Sequence, residues 1–163
     1  MLKRLLPSHI DNTYQGHKAA LWLFALLVLM KSVISLNSIF DGYDVATSAD
    51  GIPLDTFTPA GAQAVVSAFA AWGLAQLVIC LLCLLVLVRY RSVLPFMFAL
   101  LLLEHLCRRL LFWFMPIVRT GAPPGFYVNL ILTALMVVGV ALSLWRRGGG
   151  RARAVEKGDS SPT

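Results

Sequence analysis

The residues of this chain that could do chemistry interrupt two apolar runs. Glu104, His105, Arg108 and Arg109 lie in the run from 100 to 114, and Lys31 lies in an earlier one. Such side chains could form an internal ion-pair network, or they could line a polar cavity that binds an anionic or proton-coupled ligand. Each charge at the centre of a membrane helix costs on the order of 3 kcal/mol, so these groups must face protein or water.

The composition indicates a membrane protein with one domain. Hydrophobic residues make up 58% of the 163 residues and charged residues only 13%, which departs from the usage of soluble proteins. The net charge of +6 does not point to nucleic acid, because the basic residues lie beside the ends of the apolar runs. The cysteines Cys80, Cys83 and Cys107 lie inside apolar runs, so no disulfide framework is indicated.

The apolar runs predict an all-α integral membrane protein, an antiparallel bundle of four transmembrane helices at about 19–40, 59–88, 92–118 and 126–145. Residues 1–18 and 148–163 are predicted to be cytoplasmic, with the second segment disordered. Residues 41–63 carry four aspartates and no lysine or arginine, and we expect a solvated external loop there.

The distribution of basic residues predicts the orientation. By the positive-inside rule both termini are cytoplasmic, in the inner (plasma) membrane of a bacterial type of cell. The outer segments contain only Arg119, whereas the inner segments contain Lys3, Arg4, Lys18, Arg89, Arg91, Arg146, Arg147, Arg151, Arg153 and Lys157.

Small residues are frequent in the outer half of the second helix, among them Ala64, Ala68, Ala71, Gly73 and Ala75. Small side chains let helix backbones approach closely in a membrane, where lipid competes for apolar contacts. This face of the second helix is therefore predicted to pack against neighbouring helices.

Helix geometry places polar residues of all four helices at one depth. Counting about 1.5 Å per residue from each inner boundary puts Lys31, Gln76, Glu104 and Thr133 at roughly 18 Å. Glu104 is predicted to pair with Lys31 and with Arg108, which lies one turn outward. Gln76 and Thr133 would complete the hydrogen bonding, and His105 and Arg109 form a second pair. The predicted polar network is Lys31, Gln76, Glu104, His105, Arg108, Arg109 and Thr133.

The network would carry excess positive charge unless an anion, water or an external carboxylate compensates it. Asp41 or Asp44, just beyond the first helix, could reach Arg109 or Arg119. The sequence therefore leaves two interpretations open, a structural network that fixes helix register and a ligand site.

Other chemistry is not indicated by the motifs. Cys80 and Cys83 have C-x-x-C spacing but lie among leucines in mid-helix, away from a helix N-terminus. His105 is the only histidine inside a span, so a pair of facing haem ligands is missing. We find no catalytic constellation and expect no enzyme, no metal and no cofactor.

The predicted function is that of a non-enzymatic accessory or assembly component of the inner membrane. Its expected partners are the lipid bilayer and a membrane protein or a second copy of the chain, with no nucleic acid. The alternative is a small oligomeric transporter or ligand-binding membrane protein that uses the polar layer.

Overall fold

The computed structural model describes residues 16–121 and 123–145, which form helices joined by turns and short irregular segments, with no strand among them. The long helices are α1 (Lys18–Phe40), α2 (Pro59–Arg89), α3 (Leu94–Phe114) and α4 (Pro124–Leu144). The predicted cytoplasmic tail at 148–163 and most of the predicted segment at 1–18 lie outside the described residues. By length and composition, α1, α2 and α4 could cross a membrane. The similarly long α3 carries three charges.

Proline and a capping threonine set several helix ends. The Thr58 hydroxyl accepts a hydrogen bond from the backbone N–H of Gly61 at 3.2 Å, and Pro59 opens α2, as the sequence predicts. α3 ends at Phe114 rather than near 118, because Pro116 has no N–H and disfavours helical backbone at the residue before it. Pro124 starts α4 two residues earlier than expected.

The four helices do not pack equally well. α1 packs most extensively against α2 and also against α4, and α3 packs mainly against α4. α2 and α3 are consecutive in sequence and are joined by a single short turn at Arg91–Val93. They nevertheless contact each other less than α1 contacts α2 or α4, and less than α3 contacts α4. We call the boundary between α2 and α3 the α2–α3 seam.

The half of the molecule away from the α1–α2 connection, which the sequence predicts to be the inner half, has an apolar core. Phe24 of α1 and Phe98 of α3 are fully buried and meet edge to face, with ring centroids 4.9 Å apart. A Cβ atom at Gly139 of α4 would overlap the Phe98 ring, so the glycine gives the ring its space. The other buried members are Ala20, Leu27, Val28, Cys80, Cys83, Val86, Leu94, Met97, Leu101, Leu132 and Met136.

The outer segment between α1 and α2 is folded, which corrects the expectation of a solvated loop. It contains short helical turns at Gly42–Asp44, Val45–Ala49 and Leu54–Thr56. Ala46, Ile52 and Leu54 are buried and form a second small core with Ala62, Val65, Val66 and Phe69 of α2. We call residues 41–58 the outer cap.

The outer cap is also fastened to the turn between α3 and α4. The Gly51 carbonyl accepts hydrogen bonds from the backbone N–H of Thr120 at 2.8 Å and from its hydroxyl at 3.1 Å. Gly51 has φ of +70°, which glycine adopts without strain. The Asp50 carboxylate lies beside Gly125 in the first turn of α4. The cap therefore extends from α2 across the outer end of the molecule to α4.

The small residues of α2 divide into two sets, which corrects the prediction of one packing face. Gly73 is buried, and a Cβ there would lie 2.8 Å from the Ser35 carbonyl oxygen, so this glycine permits the close approach of α1. Ala64, Ala68, Ala71 and Ala75 are exposed. The alanine face is without a packed neighbour in the described part of the chain.

Candidate functional site

The centre of the site is an ion pair between α1 and α3. Lys31 Nζ donates to Glu104 Oε2 at 3.4 Å, and the two residues are far apart in sequence. The lysine side chain is 4% exposed and the glutamate side chain 27%. The structure thus brings together two residues that the depth count places at the same level.

Arg108 adds a second cation to the same carboxylate. Its Nη2 lies 3.4 Å from Glu104 Oε1, one turn away on α3, as i,i+4 spacing allows. Its guanidinium also lies over the Trp72 ring of α2, 4.8 Å from the ring centroid, in cation–π geometry. Arg108 is therefore the side chain that connects the ion pair to α2.

His105 connects the ion pair to α4. Arg108 Nη2 donates to His105 Nδ1 at 3.1 Å, and His105 Nε2 lies 3.2 Å from the backbone oxygen of Asn129. Because an arginine only donates and a carbonyl only accepts, these partners fit the neutral imidazole with its hydrogen on Nε2. The Thr133 hydroxyl donates to the same Asn129 oxygen at 2.7 Å, so Thr133 belongs to the network through the α4 backbone.

Two of the predicted residues are not in this chain of hydrogen bonds. Gln76 is 5% exposed, and its Nε2 has no hydrogen-bond partner among the described residues. Arg109 does not form the predicted pair with His105. Its guanidinium lies over the Phe126 ring of α4, 5.8 Å from the centroid.

We call Lys31, Glu104, His105 and Arg108 the polar centre. Protein packs against the polar centre on both its inner and its outer side. The apolar core around Phe24 and Phe98 lies on its inner side. The outer cap, with Ile52 and Leu54 packed on α2 and Gly51 bonded to Thr120, lies on its outer side. Glu104 and Arg108, whose side chains are 27% and 18% exposed, lie beside the α2–α3 seam, where Arg108 meets Trp72 of α2.

Asp41 and Asp44 were the carboxylates expected to reach the arginines. The carboxylate that interacts electrostatically with Arg108 and Arg119 is Asp50. Burial raises the pKa of Asp50, and the positive charges of Arg119 and Arg108 oppose that shift. The described residues contain no ion pair that uses Asp41 or Asp44, and Arg119 lies over the Phe112 ring.

Sequence reasoning missed Trp72 and Asp50. Trp72 lies four residues before Gln76 on the same face of α2, so its position one turn outward of a polar core residue was a readable signal. No sequence signal indicates the folded cap that buries Asp50, because its aspartates and turn residues are typical of a solvated loop. The thiols of Cys80 and Cys83 are free and buried in the apolar core.

These features define an all-helical protein with helices of membrane-spanning length around an ion-paired polar centre. No match to the chain was found among protein-family models, curated proteins or solved structures.

Proposed function

We propose that this protein is a four-helix, multi-pass component of the inner membrane, with both termini in the cytoplasm, and that it acts as a non-enzymatic accessory or assembly subunit. The positive-inside distribution supports the orientation. The 21 residues of α3 give it a length of about 31 Å at 1.5 Å per residue, enough to cross the hydrocarbon core. Glu104 and Arg108 turn toward α1 and α2, as charges inside a membrane require.

One observation carries the proposal of an accessory role. Glu104, in the middle of α3 and beside the α2–α3 seam, keeps 27% of its side chain exposed. A carboxylate at mid-membrane depth is costly where it meets lipid, so a neighbouring protein surface that covers the seam would remove this cost. Most of the polar centre is satisfied internally, which fits a structural role better than a catalytic one.

The alternative, a small oligomeric transporter or ligand-binding protein, is favoured by the charge of the polar centre. Lys31 and Arg108 form ion pairs with one carboxylate, Glu104, which leaves one positive charge in excess within these pairs while His105 is neutral; Asp50 acts on Arg108 without forming an ion pair. The apolar core on the inner side argues against a pathway through one bundle. Transport would therefore need an interface between copies.

Site-specific crosslinking in native membranes tests the accessory role. A photoreactive residue replaces Leu103, beside Glu104, and in a matched protein it replaces Val137 on α4, since both positions are exposed. We expect one stoichiometric partner protein, crosslinked from 103 and not from 137, that native mass spectrometry also finds after mild extraction. Crosslinks from 103 only to lipid, with a monomer by mass, would contradict the proposal. A symmetric crosslink between copies would favour the alternative.

A further inference from the structure

The polar centre offers more hydrogen-bond donors than acceptors, and this imbalance lies beside the α2–α3 seam. We propose that the seam binds a transmembrane helix of a partner protein, and that this helix presents an Asp or Glu carboxylate to the polar centre. The inference rests on the proposed accessory role and adds the chemistry of the partner.

The charges and donors define what is lacking. Lys31 and Arg108 share the single carboxylate of Glu104. Gln76 Nε2 is a further donor, 5% exposed at the residue level and without a partner in the described residues. A buried donor without an acceptor costs about 1–3 kcal/mol, and an uncompensated charge costs more. The Asp50 carboxylate also acts on Arg108 but forms no ion pair with it among the described residues. A second carboxylate beside Arg108 would neutralise the remaining charge, and Gln76 Nε2, which is enclosed, would donate to it after its side chain turns toward the seam.

Helix geometry places the free donor at the seam. Trp72 of α2 holds the Arg108 guanidinium of α3, which defines the α2 face that meets α3. Gln76 is one turn inward of Trp72 on that face, and Glu104 is one turn inward of Arg108 on α3. Gln76 and Glu104 are therefore at the same level on the two sides of the seam, without a hydrogen bond between the Gln76 Nε2 and any described residue.

The direction of access decides among possible sources of the carboxylate. The outer cap covers the outer end, with Asp50 beside Gly125 and Gly51 bonded to Thr120, and the inner end is apolar. Entry is therefore lateral, from the bilayer. A lipid phosphate stays at the headgroup level, whereas Arg108 is six residues, or about 9 Å, inward of the end of α3 and points further inward to Glu104.

A second copy of this chain fits the seam poorly. It would bring the same excess of Lys31 and Arg108 over Glu104 and place like charges together, which is destabilising. The alanine face of α2 provides the surface for a different helix. Ala68 and Ala75 are exposed next to Trp72, and small side chains allow a helix to approach closely.

The experiment uses the full chain in phosphatidylcholine vesicles with designed peptides as probes. Each peptide is a 23-residue leucine–alanine helix with one central Glu, Gln or Lys, and binding is measured by energy transfer between labels. We expect the Glu peptide to bind at least about tenfold more tightly than the Gln peptide, a difference of about 1.4 kcal/mol. The Lys peptide should bind least. Equal binding of all three peptides would overturn the proposal.

Matched variants locate the binding surface. Ala75→Leu places a bulky side chain beside the seam and should weaken binding of the Glu peptide about tenfold, whereas Ala134→Leu, at an exposed alanine of α4, should not change it. Neither alanine is buried, so both variants should fold. Equal effects of the two variants would place binding elsewhere and overturn the proposal.

A direct test of the free donor is Gln76→Leu, which should reduce the preference for Glu over Gln peptide. Arg109→Gln serves as its comparison, because the Arg109 guanidinium lies over the Phe126 ring of α4 and forms no ion pair with Glu104. If oleate, a fatty acid with a carboxylate, displaces the peptide, the occupant is an amphiphile and the proposal is overturned. Self-association of the protein that excludes the peptide would also overturn it. A crosslinked partner without a membrane carboxylate would also overturn it while leaving the accessory role intact.

Discussion

Neutralising Glu104 should destabilise the fold more than neutralising Lys31, although the two side chains form one ion pair. Glu104→Gln leaves the ammonium of Lys31, whose side chain is 4% exposed, without the carboxylate that lies 3.4 Å from it. Lys31→Met leaves Glu104 with Arg108, also at 3.4 Å, and with 27% of its side chain exposed. The asymmetry follows from burial and from the number of partners.

The structure sets the size of each effect. Removing one member of a buried ion pair costs about 3–5 kcal/mol, and this range applies to Glu104→Gln because Lys31 is left buried and unpaired. Loss of one hydrogen bond to a charged group costs about 1.5–3 kcal/mol, which applies to Lys31→Met because Glu104 keeps a cation. The double variant should be less destabilised than Glu104→Gln alone, since no buried ammonium remains.

The assay is equilibrium unfolding in mixed detergent micelles, followed by far-ultraviolet circular dichroism. Lys18→Met is the matched control, because Lys18 is exposed at the start of α1 and should have little effect on the free energy of unfolding. A larger cost for Lys31→Met than for Glu104→Gln would refute the reasoning. Additive costs in the double variant would show that the pair contributes no coupling.

Three further predictions concern packing and pH. Gly73→Ala should destabilise the protein by about 1–3 kcal/mol in the same assay, because its Cβ would lie 2.8 Å from the Ser35 carbonyl oxygen of α1. Gly139→Ala should cost a similar amount, and Phe98→Leu should partly rescue it, because the added Cβ overlaps the buried Phe98 ring. At Asp50, burial raises the folded-state pKa, so the stabilisation from the protonated form is fully present below the ordinary carboxyl pKa and is lost as pH rises through the raised value. Hydrogen exchange of residues 45–57 should therefore be slower near pH 4 than near pH 7, after correction for intrinsic rates, and Asp50→Asn should remove the difference.

The sequence predicted the depth of polar residues better than their partners. Hydropathy and the rise per residue place Lys31 and Glu104 at one level, and the structure joins them. A residue count does not determine helix rotation. Thr133 donates to the Asn129 backbone, and Gln76 Nε2 has no acceptor among the described residues, so neither residue binds Glu104 as predicted.

The outer cap shows a second limit of sequence reasoning. Ile52 and Leu54 are isolated apolar residues between turn-forming aspartates, so no periodicity predicts their burial. Their core is completed by Val65 and Phe69, which hydropathy assigns to a membrane helix. α2 has 31 residues and a length of about 46 Å, more than the hydrocarbon core requires, so its outer turns can serve the cap.

The two halves of the core therefore have different consequences for association. The inner half, built on Phe24, Phe98 and their neighbours, is closed by its own packing and needs no further protein. The outer half contains the Lys31–Glu104–Arg108 cluster and reaches the seam, where its charge and its exposed carboxylate remain incompletely matched. A helix that covers the seam would bind only the folded bundle, so at 100 times its dissociation constant it would stabilise the fold by about 2.7 kcal/mol. That gain would be slightly below the cost of about 3–5 kcal/mol for stranding one buried charge, so binding of the proposed helix would offset most of the loss caused by such a variant.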